Sequence, residues 1–148
     1  FVNNKNVFFL GRGLDYAMAL EASLKLKEIS YIHSEAYPAG ELKHGTISLI
    51  VEDFPVIALI TQAGLVEKMV SNIKEVKARG AKVILIGRPG LEHTNDFSDR
   101  EFILPEVHED LMPLVSIIPL QLFAYYSSVL RGLDVDKPRN LAKSVTVE

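Results

Sequence analysis

Cysteine is absent from all 148 residues. That removes disulfides, thiolate metal sites and cysteine nucleophiles together. An excess of positive charge is missing too, since 16 Lys and Arg face 19 Asp and Glu for a formal net charge of −3. A nucleic-acid surface built on clustered basic residues is therefore not expected. No apolar run reads as long enough to span a membrane, and no signal-like segment precedes the first strand-like run, so no membrane association is expected. The lack of cysteine is compatible with a cytoplasmic location. The chain opens on Phe1 rather than Met, as expected of a piece of something longer. Internal repeats, low-complexity segments and interdomain linkers are also lacking.

What is present is an ordinary globular composition, with 48% hydrophobic and 24% charged residues. A chain of this length can bury a real core as one domain. Strand-like apolar runs occupy Asn6 to Leu10, Pro55 to Ile60 and Lys82 to Ile86, with a shorter one at Glu101 to Leu104. Runs that are apolar on both faces suit a parallel sheet covered by helices. Helical patterns fall at Tyr16 to His33, Leu65 to Arg79 (stopped by Gly80) and Asp110 to Arg131. This alternation predicts an α/β fold, a three-layer αβα sandwich with a mainly parallel, flavodoxin-like sheet and right-handed crossovers. Pro119, inside the last pattern, predicts a kink or a local restart.

The first helical pattern carries an anomaly. At 100° per residue, Glu21, Lys25 and Glu28 fall within about 60° of one another. Ala17, Leu20, Leu24 and Tyr31 flank that stripe on one side, and Met18, Ala22 and Ile29 on the other. Ser23, Ser30 and Lys27 form the polar side opposite. The stripe is therefore expected along the middle of the inward face. Ion pairing of Glu21 with Lys25 on an ordinary surface is the simpler reading. The apolar flanks favour a functional one, because burying charge without a purpose is costly. Two carboxylates beside an amine can shuttle a proton between adjacent carbons.

A long polar connection follows, Ser34 to Thr46, of the kind that often carries function. It contains His44 before Gly45, a candidate acid/base at a turn, although a lone histidine is more often structural or simply exposed. Leu10-Gly11-Arg12-Gly13 reads either as an anion-binding strand-to-helix turn or as a tight turn alone. It has no Ser/Thr cluster to wrap a phosphate. His33, His93 and His108 show no ligand spacing, so neither metal nor cofactor is expected.

The chain closes on Pro138-Arg139-Asn140-Leu141-Ala142-Lys143-Ser144-Val145-Thr146-Val147-Glu148. It follows a helix-ending Arg131-Gly132 and a turn-like Asp134 to Pro138. Terminal residues usually fray. This stretch instead alternates apolar and polar residues without glycine, which predicts docking. The organisation is thus a domain over 1–132 and a docked tail over 133–148. Docking brings one amine, Lys143, back to the domain, and a held amine with small neighbours suits imine chemistry with a sugar carbonyl.

These residues together resemble the sugar isomerase (SIS) family. The resemblance rests on Glu21-Ala22-Ser23-Leu24-Lys25-Leu26-Lys27-Glu28, on Glu35-Ala36-Tyr37, on Gly40-Glu41-Leu42-Lys43-His44-Gly45 and on the tail. It spans essentially the whole chain. The tail is specific to the second of two SIS subdomains in glutamine-dependent amino-sugar-phosphate synthases. The resemblance implies conversion of fructose 6-phosphate and glutamine-derived ammonia into glucosamine 6-phosphate. It implies Lys143 as the imine-forming lysine, Glu28 as the base between C1 and C2, and His44 as the ring-opening acid/base. Glu21 and Lys25 match polar residues lining the same site, and Ala142 a residue whose backbone touches the sugar. It also implies a homodimer, with the His44 loop reaching into a neighbouring subunit's site. A glutaminase domain and a first SIS subdomain, which holds the phosphate, would lie elsewhere in the full-length chain. Alone, this piece is expected to fold but to show little or no turnover. Alternatives are a fructosamine-phosphate deglycase and a sugar-phosphate-binding regulatory module.

Overall fold

The computed structural model of the chain describes residues 3–91 and 96–141. Five strands run in chain order as β1 (Asn6–Gly11), β2 (His33–Pro38), β3 (Pro55–Ile60), β4 (Lys82–Gly87) and β5 (Arg100–Ile103). They form one sheet in the order β2-β1-β3-β4-β5, and every pair is parallel. The helices are α1 (Leu14–Ser30), α2 (Val66–Lys77) and α3 (Met112–Leu130). The expected α/β sandwich is what forms.

Alternation along the strands explains the three layers. Val7, Phe9, Ile57, Leu59 and Ile86 pack with Ala22 and Leu26 of α1 and Leu120 and Ala124 of α3. Phe8, Leu10, Val56, Val83 and Leu85 face the other way, onto Met69, Ile73 and Val76 of α2. Because successive strand side chains point to opposite faces, strands buried on both sides must be apolar throughout. All six residues of β3 are buried accordingly. Just beyond α2 comes Gly80, whose φ of 88° is left-handed. Its N–H donates to the Lys77 carbonyl and that of Ala81 to Val76, closing the helix end as glycine characteristically allows.

Three sequence expectations need correction. The first helix stops at Ser30, not His33, and the supposed polar loop begins as strand β2. This strand lies at the sheet edge and carries His33 and Glu35 among its residues, so it lacks an apolar run. Second, Ser23 and Ser30 are buried rather than on a polar side. Their hydroxyls are satisfied: Ser30 Oγ donates to the Leu26 carbonyl, and Ser34 Oγ donates to the Ser23 carbonyl at 2.8 Å. With the Ser34 proton spent there, Ser23 Oγ is the donor in the 3.1 Å hydroxyl pair. That buried pair ties α1 to β2.

Third, Glu109–Leu130 is long and apolar enough to cross a membrane by length and composition, contrary to the sequence reading. In the fold α3 lies against α1, burying Met112, Ser116, Leu120, Ala124, Ser127 and Ser128. It runs without a restart through Pro119. Its outward face leaves Leu114, Ile118, Leu122, Tyr126 and Leu130 exposed, alongside Leu20 and Leu24 of α1.

Candidate functional site

The charged stripe of α1 is assembled as the helical spacing requires. Lys25 Nζ lies 2.7 Å from Glu28 Oε2 and 3.7 Å from Glu21 Oε1. The hydrogen bond that Lys25 donates to Glu28 is the main reason its ammonium is held above its ordinary pKa, with partial burial opposing it. The stripe does not lie along the inward face, however. Side-chain exposures are 39% for Glu21, 35% for Lys25 and 28% for Glu28, while Ala19, Ala22, Ser23 and Leu26 face the core. The apolar residues flanking the stripe include Leu20 and Leu24, which are themselves exposed. The flank with Leu20 and Leu24 marked an uncovered face of the helix, while the flank with Met18, Ala22 and Ile29 joins the core.

The lower end of the stripe opens on a cavity. It measures about 490 Å³ and is bordered by Leu24, Glu28 and Tyr31 of the last turns of α1 and by Arg139 to Leu141 of the tail. Tyr31 caps α1 in a left-handed conformation (φ 59°). The backbone N–H of Arg139 donates to Tyr31 Oη at 2.7 Å, and its guanidinium carbon lies 4.1 Å from the Tyr31 ring centroid. The approach to the tail is also ordered locally, because Asp134 Oδ1 accepts from the N–H groups of Asp136 and Lys137. Ala142 and Lys143 lie outside the described residues.

His44 is not brought to this cavity by its own chain. It ends a short 3-10 turn, Leu42–His44, beyond the C-terminal end of β2, and its side chain is exposed. Glu28 sits just before the N-terminal end of that strand. Six strand residues span about 17 Å, so one chain presents the two groups at opposite edges of the sheet. Around the histidine the chain is pinned by buried Ala39, Leu42 and Ile50. Tyr37 contributes as well: its hydroxyl donates to the Glu35 carboxylate. Burial first and this bond second push the Tyr37 pKa up to about 12.

The sheet reverses order between β1 and β3, the crevice where doubly wound sheets usually bind ligands. Here the chain's own side chains close it. Asp15, buried at 2% exposure, accepts from the Thr61 N–H at 2.8 Å and from the Thr61 hydroxyl. Gln62 Nε2 donates to the Arg12 carbonyl, and its amide packs so closely on Gly13 that a Cβ there would sit 2.7 Å from Oε1. The N–H of Ala63 is taken by Glu109 at 3.1 Å. Desolvation holds the Asp15 pKa above its ordinary value, and the Glu109 charge adds to this. These contacts make the crevice tightly packed by the chain's own groups.

Sequence reasoning missed Asp15, Tyr31 and Arg139 as partners. Tyr31 and Arg139 stand 108 residues apart, and no local pattern joins them.

The SIS domain family model matches residues 1–131. The chain is 60% identical over 146 residues to a glutamine–fructose-6-phosphate aminotransferase (isomerizing) of Caldanaerobacter subterraneus subsp. tengcongensis, covering 99% of this chain and 24% of that protein. A protein of the same name from Symbiobacterium thermophilum is 62% identical over 143 residues, covering 97% and 24%. Among solved structures, the C-terminal domain of glucosamine-fructose-6-phosphate aminotransferase from Francisella tularensis superposes with a TM-score of 0.87 at 43% identity. That match covers 93% of this chain and 39% of the other. The chain thus spans about a quarter of the length of the curated relatives it matches.

Proposed function

The chain belongs to the SIS domain family, and on that premise we propose that it supplies the second isomerase subdomain of a glutamine–fructose-6-phosphate aminotransferase. The observation that carries this reading is the contact of the tail's first turn with the last turn of α1, beside Glu28. It supports the reading because Arg139 to Leu141, which precede Lys143 in the chain, border the same cavity as Glu28. The high identity to aminotransferases over nearly the whole chain supports the same reading.

In this mechanism residues 133–148 act as a tail docked on the isomerase site. The Lys143 amine adds to C2 of open-chain fructose 6-phosphate and water leaves, giving an imine. Ammonia then adds at C2 and displaces the Lys143 amine, leaving the sugar's own C2 imine and a free lysine. The positive character of that imine acidifies the C1 protons, so Glu28 can take one and return a proton to C2, giving glucosamine 6-phosphate. Lys25, ion-paired to Glu28 and Glu21, orients the base. The Ala142 backbone contacts the sugar. His44 moves the ring-hydroxyl proton, and it does so in a neighbouring subunit, as its distance along the sheet from Glu28 in one chain favours. The active form is then a homodimer.

The phosphate is held by the first SIS subdomain of the full-length chain. The closed crevice between β1 and β3 supports that assignment, since the chain's own groups fill it. The exposed leucines of α1 and the apolar face of α3 suit contact with that subdomain or with the dimer partner. Ammonia comes from the glutaminase domain. The isolated chain is inactive for want of these parts, and the enzyme is cytoplasmic.

Lys143→Ala in the full-length enzyme tests the assignment, with glucosamine 6-phosphate formation and glutaminase activity assayed separately. We expect synthesis to fall by about 10³-fold or more while glutaminase survives. Near-normal synthesis would leave the tail structural and remove the imine mechanism.

A further inference from the structure

We propose that Tyr31 and Arg139 form a clamp that positions the Lys143-bearing tail against Glu28, which makes both of them positioning residues for the imine step. The inference rests on the function proposed above and names the contact that makes the tail competent.

Two independent features point to it. The first is the double contact itself. Tyr31 Oη accepts from the Arg139 backbone N–H at 2.7 Å, and the Arg139 guanidinium carbon sits 4.1 Å from the ring centroid. One side chain therefore holds both the backbone and the charge of the same tail residue. A cation over a tyrosine face is attracted by the ring's quadrupole.

The second feature is backbone conformation. Tyr31 adopts φ 59° at the end of α1, a left-handed position where glycine is the usual occupant and a bulky residue is strained. Strain of this kind persists where the surroundings over-determine it, and it gathers at functional positions. Here the strained residue is the one that meets the tail. Asn140, next after Arg139, is also left-handed at φ 63°, a conformation asparagine tolerates. The Leu141 N–H reaches the Pro138 carbonyl at 3.4 Å, so the chain reverses at the clamp.

Reach then links the clamp to chemistry. Leu141 and Glu28 border the same cavity, and two residues of fully extended chain span at most about 7 Å. Whatever fixes Leu141 there limits how far Lys143 can stray from the cavity. A clamp raises the effective concentration of the amine at the carbonyl without touching substrate. Its loss should slow imine formation and leave sugar affinity nearly intact.

The test uses the full-length aminotransferase that carries this chain. Three variants separate the two contacts: Tyr31→Phe keeps the ring and loses the acceptor, Arg139→Gln loses the cation, and Arg139→Lys restores one. Each is assayed for kcat and KM with fructose 6-phosphate, for glutaminase activity, for thermal midpoint, and for the rate of borohydride trapping at Lys143, read by peptide mass. We expect Arg139→Gln to lower kcat and the trapping rate about tenfold and Tyr31→Phe by a few-fold, with KM within about twofold. Glutaminase activity and thermal midpoint should hold, and Arg139→Lys should recover part of the trapping rate. Trapping at the wild-type rate in both Arg139→Gln and Tyr31→Phe overturns the clamp. So does a lower thermal midpoint with unchanged trapping per folded enzyme, because that is a purely structural contact. A parallel Lys143→Ala control that retains synthesis overturns the proposed function and the clamp together. Loss of synthesis in that control, with the clamp variants unaffected, overturns the clamp alone.

Discussion

At the C-terminal edge of the sheet Asp15, Gln62 and Glu109 turn onto neighbouring backbone and close the crevice. At the N-terminal edge Glu28, Tyr31 and Arg139 border an open cavity. Parallel α/β sheets usually place ligands at the first of these edges, where helix N-termini offer free N–H groups. This chain has filled the crevice at that edge with its own carboxylates, with His44 exposed farther along the same edge, and it presents Glu28 with its paired Lys25 at the other. The difference separates a crevice closed by packing from an open candidate site. The cavity lies at the C-terminal end of α1, where backbone carbonyls face outward and an anion gains nothing from the helix. A carboxylate there is better kept beside an ammonium such as Lys25.

That contrast can be broken from either end. The largest stability effect is expected at the closed edge. Asp15→Leu removes the acceptor for the buried Thr61 N–H and should cost about 1–3 kcal/mol, measured by denaturant unfolding of this chain. A change of less than a few tenths of a kcal/mol would mean that the crevice is not sealed by Asp15. At the open edge the pattern should invert. Lys25→Met removes a half-exposed ion pair, so unfolding should shift by only about 0.3–0.5 kcal/mol. Synthesis by the full-length enzyme should nevertheless drop about tenfold. Equal losses of stability and activity would erase the distinction between the two edges.

The smallest effect sharpens the comparison through pH. Asp15 has a folded pKa above its ordinary value of 3.8, so the folded chain binds that proton more tightly than the unfolded chain. Its contribution to stability is present in full below 3.8 and declines as pH rises through the higher folded value. Asp15→Asn, which can still accept from the Thr61 N–H and donate to its hydroxyl, should flatten this slope. Thermal midpoints of the two proteins should converge at low pH, with the variant gaining as pH rises. Parallel curves would remove the buried charge from the account.

The fold was legible where the physics is local. Strands buried on both faces announce themselves by apolar runs, so β3 was read at its true limits and β1 and β4 to within one residue. Strand β2 was not, because an edge strand carrying His33 and Glu35 has no such run. The stripe Glu21, Lys25 and Glu28 was legible as helical spacing, but its burial was not. Exposed Leu20 and Leu24 look the same in sequence whether they face a core or a partner surface. Ser23 and Ser30 were misjudged because a buried hydroxyl needs only a carbonyl, and that acceptor is invisible until the backbone is in place. The Tyr31 and Arg139 contact depends on how the whole domain brings the tail back.

The most direct test of the central claim is Glu28→Gln in the full-length enzyme, with borohydride trapping at Lys143 and hydrogen–deuterium exchange at C1 of the sugar phosphate measured side by side. If the open edge carries the chemistry, trapping persists while C1 exchange falls by about 10²–10⁴-fold. Exchange at the wild-type rate would contradict the account and move the base to another residue.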